Sequence, residues 1–117
     1  MAERLRRHLA ATTSEILLVG DGPDGMAVLS FQDTIWSDAP NCYLAELYVV
    51  PDRRGEGMGR ALMAAALENA RERGADHMDL TTSTDDLAAV ALYESLGFTN
   101  REGGPDGPVM LYYELEL

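Results

Sequence analysis

The sequence predicts an α/β (α+β) fold: a mixed, mostly antiparallel central sheet flanked by helices. Three observations lead there. Two short apolar runs, Ile16–Val19 and Met26–Phe31, flank Gly20-Asp-Gly-Pro-Asp-Gly25, a dense turn signal that marks a β-hairpin. A helix-period stripe (Leu62, Met63, Ala66, Leu67, Ala70) lies between two further strand-like runs, Tyr43–Val50 and His77–Thr82. A strand–helix–strand unit pairs its strands in parallel, whereas a hairpin is antiparallel, so the sheet is mixed.

Taken in order, residues 2–10 suit a short helix with Arg4, Arg6 and Arg7 outward. The hairpin follows, its second strand running on toward Trp36, and Ser37–Asn41 is a loop. Tyr43–Val50 is apolar on both faces, which predicts a central strand, and Pro51 ends it. The helix runs from Gly57 to Arg73, with Gly74 as its stop. Ser83–Asp86 supplies capping side chains for a second helix that ends at Gly97. Two last strands are expected, Phe98–Arg101 and Val109–Leu117. With 117 residues, the chain fits a single domain spanning 1–117.

Composition narrows the function. The net charge is −11 and all nine basic residues are arginine. Phosphate-backbone binding needs a basic stripe, so a nucleic-acid partner is excluded, and the acidic surface favours a cationic one. No apolar run approaches the ~20 residues of a membrane span, and residues 1–8 lack a secretory apolar segment, so the expected location is cytoplasmic. Cys42, the only cysteine, reads as a small buried hydrophobe. His8 and His77 show no ligand spacing, so no metal is expected.

Three of the nine arginines, Arg53, Arg54 and Arg60, surround Gly55, Gly57 and Gly59 between a strand and a helix start. The first turn of a helix exposes unpaired N–H groups and partial positive charge. Glycines there let a phosphate approach the main chain, so the segment reads as a pyrophosphate cradle. It is neither of the two common nucleotide motifs. The Walker pattern needs a lysine, and the dinucleotide fingerprint needs a different glycine spacing than Gly55-x-Gly57-x-Gly59.

With these residues in view, the chain resembles the GNAT superfamily of N-acetyltransferases. The signature Arg/Gln-x-x-Gly-x-Gly/Ala after the fourth strand is matched by Arg54-Gly-Glu-Gly57-Met-Gly59, preceded by Leu47-Tyr-Val-Val-Pro. A second motif appears as Leu92-Tyr-Glu-Ser-Leu-Gly-Phe98. The resemblance implies that acetyl-CoA is the co-substrate and lies between two splayed central strands. Its pantetheine arm would pair with the backbone of Leu47, Tyr48 and Val49. Its pyrophosphate would rest on the N–H groups of Arg54, Gly55, Glu56, Gly57, Met58, Gly59 and Arg60, with Arg53 adding charge. Where the family carries an asparagine that often contacts the cofactor, this chain has Asp86.

Amine acetylation needs an ammonium to lose a proton and a departing thiolate to gain one. Tyr93 is the candidate acid: the helical wheel sets Leu87, Ala88, Ala91, Leu92 and Ser95 on the core side and Tyr93 opposite, with Asp86. The resemblance implies a hydroxyl aimed at the thioester sulfur. Glu46 is the candidate base, because a carboxylate within a buried apolar strand is costly unless it reaches water in a cleft, where its pKa would rise. Trp36, Phe31 and Tyr43, with Asp33 or Asp38, are candidates to line the acceptor pocket. The expected function is acetyl transfer from acetyl-CoA to a primary amine of a small molecule or peptide; the alternative is a non-catalytic acetyl-CoA-binding regulatory module. Only a short helix precedes residues 16–19, less than the resemblance implies. Three alternatives stand: a minimal member, a missing amino-terminal part, or a homodimer partner that completes the site.

Overall fold

The turn glycines set the first element. Gly20 has φ +83°, a conformation that side chains rarely tolerate, and Asp24 N–H donates to the Val19 carbonyl at 2.8 Å to close the loop. The computed structural model describes residues 2–3, 12–20 and 22–117, with side chains from residue 14 on apart from 21. Strand β1 is Ala2–Glu3, β2 is Thr12–Val19 and β3 is Gly25–Gln32. β2 and β3 pair antiparallel along their whole length, from Thr12 opposite Gln32 to Val19 opposite Gly25. Ala2 and Glu3 pair with β2 and are strand, where a helix from residue 2 was expected; the rest of that expected helix lies outside the described residues. β3 stops at Gln32, short of Trp36, because the Thr34 and Ser37 hydroxyls fold the next segment into local turns by accepting from Trp36 N–H and Ala39 N–H.

Strand β4, Asn41–Val49, pairs antiparallel with β3, and β5, His77–Leu80, pairs parallel with β4. The sheet order is β1-β2-β3-β4-β5, mixed as predicted. Helix α1, Met58–Glu72, links β4 to β5. Its buried residues are Leu62, Met63, Ala66 and Ala70, four of the five predicted. They face a sheet surface made of Leu17, Ala27, Leu29, Phe31, Cys42 and Leu44. Full burial of a side chain the size of Leu29 or Met63 contributes about 2 kcal/mol, and among the described residues this layer holds every buried apolar side chain but Tyr93. Gly74, φ +83°, ends α1 as expected.

β4 is not regular. The β3–β4 register passes from Leu29 opposite Leu44 to Val28 opposite Glu46, which leaves Ala45 as an extra residue, a β-bulge. The bulge changes which residues face α1. Asn41, Tyr43, Glu46 and Tyr48 all lie beside β3 residues (Gln32, Ser30, Val28, Met26) that point away from the helix.

The chain divides into two units, Met1–Leu80, which contains all of these strands and α1, and Thr81–Leu117. In the second, α2 spans Leu87–Ser95. Asp86 is its N-cap, its carboxylate accepting from Ala89 N–H at 3.1 Å, as the capping residues predicted. The two expected final strands are not formed. Arg101 and Val109 make one isolated antiparallel bridge, and residues 110–117 carry no strand. Alternating apolar residues give a strand its propensity, but a ladder needs a paired neighbour, and only that bridge is present among the described residues.

Candidate functional site

The main-chain cradle begins at the end of β4. Pro51–Arg53 form one 3₁₀ turn, with Arg53 N–H donating to the Val50 carbonyl. Gly55 and Gly57 follow at φ +81° and +84°. These two glycines are therefore required by backbone conformation, and the bare surface they leave is a second consequence: a Cβ at either would meet nothing within 4 Å. Gly57 is the N-cap of α1 and makes no side-chain cap bond. The first-turn N–H groups of this 15-residue helix are thus not capped by a side chain, and they carry the positive end of its dipole.

The arginines are held differently from one another. Arg54 Nε donates to the Val49 carbonyl at 2.9 Å, and its guanidinium lies 5.6 Å from the Tyr48 ring centre. Arg53 is committed to two carboxylates, Asp24 and Glu56. Arg60 is exposed on the first turn of α1. Met58 and Gly59 are half-buried beside it.

Past this loop the sheet opens. β5 registers with β4 only from Asn41 to Leu44, so among the described strands none pairs with Ala45–Val49 on that side. Successive peptide groups of a strand point to opposite edges, and Val50 N–H donates toward the hairpin to the Asp24 carbonyl. The peptide groups of Leu47 and Val49 therefore face the open edge, and the Val49 carbonyl there is the one that takes Arg54.

Glu46 follows the bulge on the surface opposite α1, exposed and flanked by Tyr43 and Tyr48. The expectation that this strand is buried on both faces fails here: Glu46 is exposed, and its carboxylate reaches solvent without the burial that singled it out. On the same surface, sequence reasoning missed a polar triad at the start of β4. His77 Nδ1 and Asn41 Oδ1 are 2.8 Å apart, and Asn41 Nδ2 donates to Asp79 Oδ1 at 2.8 Å. The alternation of His77 and Asp79 along one strand was its only signal. The three aromatics expected to line an acceptor pocket, Phe31, Trp36 and Tyr43, are not brought together. Phe31 is 3% exposed and faces α1, whereas Trp36 is 88% exposed in the loop and Tyr43 points to the other surface.

In the second unit Tyr93 is the buried residue of α2, 8% exposed, and Phe98 packs edge-on against its ring at 5.9 Å between centres. The helical wheel is therefore reversed: Leu87, on the expected core stripe, is 76% exposed. Leu-Ala-Ala-Val-Ala-Leu-Tyr is apolar all round, so periodicity carried no direction there. Burial first, and then the nearby Asp86 carboxylate, push the Tyr93 phenol above its ordinary 10.0, which keeps it protonated at neutral pH. Asp86 itself is occupied in capping α2.

Known proteins resemble this chain. Residues 3–98 match the acetyltransferase (GNAT) family. The chain is 38% identical over 89 residues to a mycothiol acetyltransferase of Beutenbergia cavernae, covering 74% of this chain and 29% of that protein. It is 38% identical over 72 residues to N-alpha-acetyltransferase 30 of Schizosaccharomyces pombe, covering 62% and 48%. A crystal structure of a protein from Arthrobacter sp. FB24, described as an acetyltransferase, superposes with TM-score 0.80 at 44% identity, covering 89% of this chain and 66% of that one. The chain thus spans less than a third of the length of the Beutenbergia relative and about half that of the yeast one. The family match takes in the hairpin, the open β4 edge, the glycine-rich loop and α2, and on that match the chain belongs to the GNAT acetyltransferase family.

Proposed function

We propose that this protein transfers the acetyl group of acetyl-CoA to a primary amine of a small molecule or peptide. The observation that carries the reading is the uncapped start of α1, entered through two left-handed glycines, directly beside the unpaired edge of β4. An anion-binding helix terminus next to peptide groups that no described strand pairs suits a ligand with a diphosphate at one end and amides along its arm. The N–H groups from Arg54 to Arg60 take the diphosphate, and the Leu47 and Val49 peptide groups take the arm, once Arg54 releases the Val49 carbonyl; the Tyr48 peptide, expected to join them, faces β3 instead. In an acidic chain, an acceptor bearing positive charge is favoured.

The chemistry needs no covalent enzyme intermediate. Glu46, through water, accepts the proton of the acceptor ammonium. The freed lone pair attacks the thioester carbonyl carbon, the C–N bond forms and the C–S bond breaks. Tyr93 donates the proton that the departing thiolate needs, and the second proton shed by the acylated nitrogen, passed through water, restores the phenol. The relatives named above include one acetyltransferase named for mycothiol and one for an α-amino position, so both small-molecule and peptide acceptors belong in the test. Thiol release from acetyl-CoA is followed across amines, polyamines, amino acids and peptides. Steady thiol release with one acceptor class supports the reading; acetyl-CoA binding by calorimetry with no turnover on any acceptor replaces it with a binding module.

A further inference from the structure

Three charged groups meet where the hairpin turn faces the glycine-rich loop. Arg53 Nη1 donates to Asp24 Oδ2 at 3.0 Å, and Arg53 Nε donates to Glu56 Oε1 at 3.1 Å. Asp24 is fixed by its own backbone. Its N–H closes the hairpin onto Val19, and its carbonyl accepts from Val50 N–H at the end of β4. It is a post anchored in the sheet, and Arg53 spans from it to the loop.

Glu56 is out of place by simple electrostatics. It stands between Gly55 and Gly57, within the segment whose main chain is shaped to receive a diphosphate. A carboxylate there repels the ligand that the glycines and the helix start attract. The arginine that would offset it is already shared. One guanidinium between two carboxylates leaves the trio net negative by one charge. Were Arg53 to turn toward an anion, both carboxylates would be left without it beside that anion.

We propose that Arg53 is a positioning residue that neutralises Glu56 and pins the loop to Asp24, and that Glu56 limits the affinity of the site for its anionic ligand. Direct charge toward the diphosphate then comes from Arg54, Arg60 and the main chain. The proposal deepens the acetyl-CoA reading and rests on it for the choice of ligand. All three side chains reach solvent (43%, 23% and 50% exposed for Arg53, Asp24 and Glu56), so the effects are a few-fold and salt-dependent.

The test is a double-mutant cycle of acetyl-CoA affinity by calorimetry on wild type, Arg53→Gln, Glu56→Gln and the double variant, at low and high salt. At low salt Arg53→Gln is expected to weaken binding about fivefold and Glu56→Gln to tighten it about twofold, both shrinking as salt screens the charges. The double variant returns to within about twofold of wild type, because the arginine has little left to neutralise. An equal loss on Arg53→Gln in both backgrounds makes Arg53 a direct ligand and overturns the proposal. A second arm uses no ligand: the NMR order parameters of the 54–57 amides fall in Arg53→Gln and in Asp24→Asn if the loop is pinned as described, and unchanged order parameters overturn the pin. If wild type gives no heat with acetyl-CoA, the functional reading fails, and the relaxation arm still judges the pin.

Discussion

Arg73, the C-cap of α1, reaches across the sheet surface to the carboxylate of Glu15 on β2, a residue only 2% exposed. On the way its guanidinium lies 4.5 Å from the ring centre of Phe31. This pair ties the far end of the helix to the second strand, under the same face that holds the apolar core. Losing one member of a buried pair is expensive because the other charge stays behind. Arg73→Ala is expected to cost about 3 kcal/mol in urea unfolding. Arg73→Lys should recover only part of that, since an ammonium lacks the planar fork and the flat stack on Phe31. Equal stability of Arg73→Lys and wild type would show that charge alone matters.

Cys42 lies on that same face, fully buried, and its thiol is pushed from 9.0 up to about 11, first by burial and then by the Asp79 carboxylate. The folded state therefore holds this proton more tightly than the unfolded chain does. Its contribution is whole below pH 9 and is lost as pH rises toward about 11, so stability falls across that window. Tyr93 adds a decline of the same sign above its ordinary 10.0. Unfolding midpoints of Cys42→Ala against pH should show a shallower alkaline decline than wild type. In the native protein at pH 8, a thiol reagent should label Cys42 only as fast as the chain opens.

Gly57 and Gly74 make an internally controlled pair. Their φ values are +84° and +83°, and a Cβ at either meets nothing within 4 Å. Alanine at each should cost the same roughly 1 kcal/mol of left-handed strain. Only Gly57→Ala should also weaken acetyl-CoA binding, because Gly57 opens α1 while Gly74 closes it. Matched losses of affinity at both positions would reduce the loop glycines to ordinary turn residues.

Tyr93→Phe should lower kcat about a hundredfold while leaving acetyl-CoA affinity unchanged, the pattern of a lost proton donor. An acid must be protonated to act, so the alkaline limb of kcat should lie above 10.0, on the raised side of an ordinary phenol. Asp86→Asn keeps an N-cap side chain but removes the charge, and should move that limb to lower pH. A limb that ignores Asp86→Asn would separate Tyr93 from the titration.

The parts of this fold that could be read in the sequence are those where local chemistry and tertiary demand agree. Gly20–Gly25 can only turn, α1 has a clean stripe from Leu62 to Ala70, and Asp86 caps where a cap residue was expected. The unread parts depend on a partner. The Ala45 bulge exists only in the register between two strands, so nothing in Tyr43–Val50 announced that Glu46 would fall on the face away from α1. The direction of Tyr93 was hidden because α2 lacks a polar side. Val109–Leu117 has strand composition with a single paired position. Of the candidate site, the glycine-rich loop was legible as a local pattern, whereas the tethering of Arg53 by Asp24 joins residues 29 apart and required the folded chain.

The end of β5 at Leu80, opposite Leu44, has a colloidal consequence. Among the described strands none pairs with Ala45–Val49 on that side, and such an edge accepts an extended polypeptide as it would a ligand's amides. The protein purified without its ligand should therefore self-associate on concentration, and a saturating thioester analogue should both suppress that association and raise the melting temperature by mass action. Solubility and occupancy would then rise together, so that a storage buffer becomes an assay of whether the groove is filled.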